Sequence, residues 1–225
     1  LLNQQTDWRV PYSSEHAIIA THDDQVKSNG IINIRRVPLK PDSPTLFSIG
    51  HGARQIEDFL EILSFHRVEF LIDVRSKPRS RFHPQYNQRT LDSHLSSAGI
   101  RYIYMGEDLG GIPSRPDCYD DEGHVSYARI MQQDFYLRGI DRLLTAHRKG
   151  IKVACMCSEL DPCDCHRSKL IGESLAANGL QMMHIGKGGA IETQKEVMEK
   201  VRGLHSTDDL FENAPTTLRS RKSYR

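Results

Sequence analysis

The sequence predicts an α/β protein: a single domain on an open, mostly parallel sheet with helices on both faces, flanked by an extended N-terminal arm and a basic C-terminal tail. Two observations lead there. From Thr45 onward, short apolar runs alternate with longer stretches of helical periodicity, the pattern of βα units rather than of hairpins. Two of the helical stretches also close on a glycine, Gly99 or Gly179, just ahead of the next apolar run. A chain of 225 residues favours one domain with extensions over two full domains. We divide it into an arm over 1–43, the α/β domain over 44–203 and a flexible tail over 204–225.

The elements follow in order. Residues 1–43 are punctuated by Pro11, Gly30, Pro38 and Pro41, and predict no more than a short strand at Ile31–Arg36. Thr45–Ile49 is an apolar strand that ends in the turn Gly50-His51-Gly52, after which Ile56, Phe59, Leu60 and Leu63 recur at helical spacing. Phe70–Arg75 reads as a buried strand ending in charges, Thr90–Ala98 as a helix, and Arg101–Met105 as a third strand. Tyr127–His147 can hold one long helix ending before Gly150. Ile151–Cys157 is a fourth strand, His166–Asn178 a helix, Gln181–Ile185 a fifth strand, and a last helix runs from Ile191 to Val201. Thr216–Arg225 carries Arg219, Arg221, Lys222 and Arg225 with no acid, the composition of a mobile basic tail.

Composition excludes several classes. With 30 Lys+Arg against 29 Asp+Glu the net charge is +1, so a nucleic-acid or anion contact must come from a local patch. The 38% hydrophobic content lies above that of a disordered chain. No run of about 18 apolar residues exists to span a membrane, and Leu1–Val10 lacks the basic flank and apolar core of a secretory signal. Of five cysteines, four crowd into Cys155, Cys157, Cys163 and Cys165, whereas a secreted disulfide framework would spread them. A reducing, cytoplasmic setting is therefore expected.

In an open parallel sheet the strand C-termini share one edge, and ligands bind there. Three unusual sequences fall on that edge: Gly50-His51-Gly52, Asp73 to Arg81, and Cys157 to Arg167. Cys165 would stand at a helix N-terminus beside His166 and Arg167, where positive potential favours a thiolate. Cys157, Cys165, His166 and Asp73 are thus the candidate catalytic residues, with Asp73 either a general acid–base or the group that orients Arg75. Arg167 offers a fork to phosphate or carboxylate. Arg75, Arg79 and Arg81 open a stretch to Arg89 that contains no acid and is interleaved with Phe82, His83 and Tyr86, a mixture suited to phosphates and bases. His51 and the close-approach glycines Gly110 and Gly111 complete the expected ligand contacts. A second use of the cluster is metal: Cys157, Cys163 and Cys165 could hold zinc or iron, although their spacing departs from the usual pairs separated by two to four residues.

These motifs, taken in order, resemble the domain of unknown function 488 family: Ser48-Ile-Gly50-His51, Asp73-Val74-Arg75 with Pro78-Arg-Ser80-Arg81-Phe82, Leu109-Gly110-Gly111, and Cys157 with Cys165-His166-Arg167. The resemblance spans about residues 45–186 and implies a compact α/β domain with a shared ligand pocket, but no reaction. A weaker similarity is to rhodanese domains, through Leu71–Arg75 and the later strand–cysteine–loop–helix order. The loop after Cys157 is too long for a compact anion cradle, and Cys163 stands where a phosphatase-type spacing needs arginine. Three functions compete: an enzyme acting on a nucleotide or nucleic acid, a non-catalytic nucleic-acid or partner-binding module with structural or metal-bound cysteines, and sulfur transfer through a persulfide.

Overall fold

The computed structural model describes residues 44–205 and 219–224. The expected arm, including its strand at Ile31–Arg36, lies outside the described residues. In chain order the elements are β1 (Leu46–Gly50), α1 (Ile56–Phe65), β2 (Phe70–Asp73), α2 (Gln88–Ser97), β3 (Arg101–Tyr104) and the short α3 (Gly106–Leu109). They continue with β4 (His124–Ser126), α4 (Tyr127–Ile130), α5 (Asp134–Arg148), β5 (Val153–Cys157), a π-helical turn at Arg167–Gly172 that runs into α6 (Glu173–Ala177), β6 (Met183–Ile185), β7 (Ile191–Thr193), α7 (Gln194–His205) and β8 (Arg219–Ser223).

Six strands form the main sheet in the order β3-β2-β5-β1-β6-β7. All neighbouring pairs are parallel except β6 with β7. Successive residues of a strand face opposite sides, and the core divides accordingly. Leu46, Ile72, Val153, Cys155 and Cys157 pack with residues of α5, the π-helical turn and α6 such as Tyr136, Leu143, Leu170 and Leu175. Phe47, Ile49, Leu71, Ala154 and Met156 pack instead with Phe59 and Leu63 of α1 and Leu91 and Leu95 of α2. Helices thus cover both faces, as the alternating apolar runs predict.

The strand order places a topological switch at β1 and β5. The chain leaves β1 for the α1 face and moves towards β2, whereas it leaves β5 on the opposite face and moves towards β6. At such a point the two connections diverge and open a crevice beyond the strand C-termini. Register puts Gly50 opposite Cys157, and Asp73 opposite Met156, so the three unusual sequences do meet at one edge.

Three expectations are corrected. The long helix over Tyr127–His147 is two, because Gln133 is extended and Asp134 opens α5 with an acid in its first turn. The last helix starts not at Ile191 but after Thr193, where Thr193 and Glu196 form a reciprocal capping box: the Thr193 N–H donates to Glu196 Oε2 at 2.7 Å and the Glu196 N–H to Thr193 Oγ1 at 3.2 Å. Ile191–Thr193 is left as an antiparallel edge strand. Finally, the basic C-terminal segment is not a free tail throughout. Arg219–Ser223 pairs antiparallel with β4, Arg219 meets Glu122 at 2.6 Å and Arg221 meets Asp164 at 2.9 Å. Its charges match acids on the domain, a complementarity that the segment's own composition does not display.

Candidate active site at the sheet edge

The edge resolves into two buried polar groups side by side. The first is built on β2. Asp73, fully buried, accepts from Arg75 Nε at 2.9 Å, Arg75 Nη2 at 2.6 Å, the Arg75 backbone N–H at 3.1 Å and Tyr102 Oη at 2.7 Å. Four donors saturate the carboxylate, which holds the Arg75 guanidinium in place. Arg75 also donates to the Tyr86 carbonyl at 2.8 Å and lies 3.4 Å from His51 Nε2. His51 stacks on the Tyr86 ring with centroids 4.3 Å apart, and its Nδ1–H donates to the Gly52 carbonyl. Burial drives the His51 pKa down to about 4, so its imidazole is neutral and Nε2 receives the Arg75 guanidinium.

The second group joins β5 to the helix that follows it. Cys157 ends the strand, Cys165 and His166 begin the π-helical turn, and their ligand atoms lie within 4.8 Å of one another. Cys165 is 1% exposed, Cys157 5% and His166 8%. His166 Nε2 is 3.2 Å from the Val74 carbonyl and donates to it, which turns Nδ1 towards the sulfurs, 3.9 Å from Cys157 Sγ and 3.7 Å from Cys165 Sγ. From the exposed side Glu159 reaches in, with Oε2 2.9 Å from Cys157 Sγ and 3.7 Å from Cys165 Sγ. Two glycines make room. A Cβ on Gly111 would stand 2.9 Å from His166 Nδ1, and a Cβ on Gly50 only 2.0 Å from the Glu159 carbonyl oxygen. Gly111 therefore serves the imidazole's position, while Gly110 packs against Gly106 and Ser76.

Arg167 is fully buried behind the pair. Its Nε–H points at Cys165 Sγ at 3.2 Å, Nη2 donates to the Glu159 carbonyl at 2.6 Å and Nη1 to Ser48 Oγ at 3.1 Å. The chain of donors continues inward. Ser48 Oγ lies 2.7 Å from His184 Nδ1, His184 Nε2 lies 2.7 Å from Gln194 Oε1, and the Gln194 amide donates to Ser168 O and Glu173 Oε1. Burial holds the His184 pKa down to about 4, so the ring is neutral, with Nδ1 accepting from Ser48 and Nε2–H donating to Gln194.

The two thiols differ. Burial opposes ionisation of Cys165, but the Cys157 thiol, Arg167 and His166 outweigh it and hold its pKa well below the usual thiol value. Cys157 is pushed well above that value, first by its hydrogen bond to Cys165 and then by burial. Although burial lowers His166, the Cys165 sulfur raises it on balance. The two thiols are thus pulled apart: Cys165 gives up its proton more readily than an ordinary cysteine and Cys157 less readily.

Of the predicted residues, Cys157, Cys165, His166 and Arg167 converge, while Asp73, Arg75 and His51 form the neighbouring group. Cys163 does not join them: its sulfur faces the Val197 carbonyl at 3.9 Å, in a separate cluster with α7. Arg75 and Arg167, expected on an anion, spend their donors inside the protein. Arg79 and Arg81 stay exposed and are without a side-chain partner among the described residues. Between Arg81 and His83, Phe82 is 83% exposed. Four participants were missed: Glu159, Ser48, His184 and Tyr127, whose hydroxyl burial holds neutral close to Cys165 and Cys157. A histidine inside the apolar strand Met183–Ile185 and an acid two residues after Cys157 were the available signals.

These features define an α/β protein with a buried thiol–imidazole centre at the switch point of its sheet. The chain matches the family model described as Domain of unknown function DUF488 over residues 55–173, just over half of its length, and it belongs to that family. No curated protein and no solved structure gives a significant match. The family match begins after Ser48 and His51 and ends before His184, so those partners of the site lie outside it. Among the described residues no helix is long and apolar enough to cross a membrane.

Proposed function

We propose that the protein acts on a nucleic acid or nucleotide, with Cys157, Cys165, His166 and Glu159 at the reacting position and the segment Lys77–Arg89 as the phosphate-binding surface. One observation carries this reading. The exposed Lys77, Arg79, Arg81 and Arg89 follow directly from the end of β2, where the Val74 carbonyl holds the His166 ring. A phosphate chain lying on that segment is delivered to the edge of the thiol–imidazole centre. The exposed Phe82 ring adds a stacking platform for a base. Arg75 and Arg167 do not take phosphate in this scheme. They fix Asp73 and Cys165.

Titration of labelled single-stranded oligonucleotides at several salt concentrations tests it. Binding should weaken linearly in log–log form, and the double variant Arg79→Ala/Arg81→Ala should lower the slope by about 1.4, at about 0.7 per lost phosphate contact. Phe82→Ala should cost about 1–3 kcal/mol of binding. Absence of binding by the wild-type chain at low salt, to oligonucleotides and to nucleotides alike, would refute the assignment.

A further inference from the structure

We infer that Cys157, Cys165 and His166 bind a zinc ion, with the Glu159 carboxylate in a replaceable fourth position. The inference deepens the reading above by assigning chemistry to its reacting position, and it rests on that reading only for the site's role.

Three buried donors stand where one ion can reach them: Cys157 Sγ, Cys165 Sγ and a His166 ring nitrogen lie within 4.8 Å of one another. Zinc bound about 2.3 Å from sulfur and about 2.0–2.1 Å from nitrogen or oxygen sets edges of about 3.5 Å between sulfur and the lighter donors. The observed separations are 3.9 Å and 3.7 Å from His166 Nδ1 to the two sulfurs, and 3.7 Å and 2.9 Å from Glu159 Oε2 to Cys165 and Cys157. The two His166–sulfur separations and the Glu159–Cys165 separation are long for hydrogen bonds and close to these edges, whereas Glu159 stands outside the three-donor group and would have to swing in to become the fourth ligand.

The surroundings are built for the same purpose. A metal-bound imidazole characteristically donates its other ring N–H to a carbonyl or carboxylate, and His166 gives Nε2–H to Val74 O. A thiolate ligand is steadied by a donor, and Arg167 Nε aims at Cys165 Sγ, itself locked by Ser48 and the Glu159 carbonyl. Two sulfurs, one nitrogen and one carboxylate oxygen are a borderline-soft set that suits zinc. Cys163, turned towards Val197, contributes nothing.

The three buried donors and the one exposed donor have different roles. Cys157, Cys165 and His166 are fixed by strand, helix and Val74, whereas Glu159 enters from an exposed residue in the β5–helix loop. Three protein ligands with an exchangeable fourth are the arrangement of catalytic zinc rather than of closed structural sites.

The test uses the 225-residue chain purified under reducing conditions. Elemental analysis should find one zinc per chain. Replacement by Co²⁺ should give the visible bands of a tetrahedral ion together with near-ultraviolet thiolate-to-cobalt charge transfer. Cys165→Ser should abolish the charge transfer from one sulfur and weaken zinc binding by at least the about 10–100-fold that loss of an outer-shell partner alone costs. Because that buried change can also unfold the domain, Glu159→Ala is the companion variant: it should stay folded, keep the thiolate charge transfer and alter the visible bands. A reduced, folded wild-type chain that takes up neither zinc nor cobalt in excess would overturn the proposal, as would a cobalt spectrum without thiolate character or iron in place of zinc. A cobalt spectrum of the expected form in a protein that binds no oligonucleotide supports the metal site while removing the substrate reading.

Discussion

His184 shows how much of this site depends on a residue that touches no sulfur. It stands between Ser48 and Gln194, and through Ser48 it fixes the guanidinium that faces Cys165. Replacing it with leucine removes a partner from both buried neighbours, an expected loss of about 2–4 kcal/mol in urea unfolding. The same ring sets an acid limit. Its pKa is about 4 when folded against 6.5 as the ordinary value, so its contribution is complete above pH 6.5 and fades as the pH falls towards 4. Between pH 7 and pH 4.5 this group alone should remove roughly 2–3 kcal/mol of stability, and the His184→Leu variant should lack that part of the pH dependence. Identical pH dependence in variant and wild type would contradict a neutral buried ring. At this scale the sequence displayed the thiols, His166 and the arginines, because unusual residues in a short stretch are visible without a structure. It did not display which arginines are consumed: Arg75 and Arg79 are alike in sequence, and only the four-donor saturation of Asp73 separates them.

Elements whose residues carry their own periodicity were legible, and elements defined by a partner were not. The parallel strands and α1, α2 and α5 follow apolar spacing. Strand β8 has no apolar pattern at all. It forms because Ser220 accepts the Val125 N–H at 2.9 Å, because the Tyr224 N–H reaches the Gly123 carbonyl at 2.9 Å, and because Glu122 and Asp164 receive Arg219 and Arg221. Ser220 is itself buried in the pairing. A chain truncated after residue 218 should therefore lose hydrogen-exchange protection at Val125, and Arg221→Glu should loosen the strand by like-charge contact with Asp164. Unchanged exchange at Val125 in the truncated chain would show that β4 holds without its partner. The π-helical turn at Arg167–Gly172 was hidden for a related reason: a helical spacing does not reveal which turn carries the extra residue, and such turns recur at functional sites.

At the scale of the molecule, the switch point decides where chemistry can occur. Strand order is not encoded in periodicity, so the sequence could place three motifs on one edge but could not say that β1, β5 and β2 are neighbours. That adjacency brings His51, Asp73 and Cys157 together at the ends of strands from which the chain departs to opposite faces. Under the proposed function a nucleic acid approaches this edge across the Lys77–Arg89 surface. Ultraviolet crosslinking of a single-stranded oligonucleotide to the full chain, followed by peptide mapping, tests it most directly. Crosslinks should fall within 77–89, with Phe82 foremost, and in the adjoining 110–112 and 157–167 segments. Crosslinks confined to 1–43 or 204–225, or none to these three segments, would contradict it.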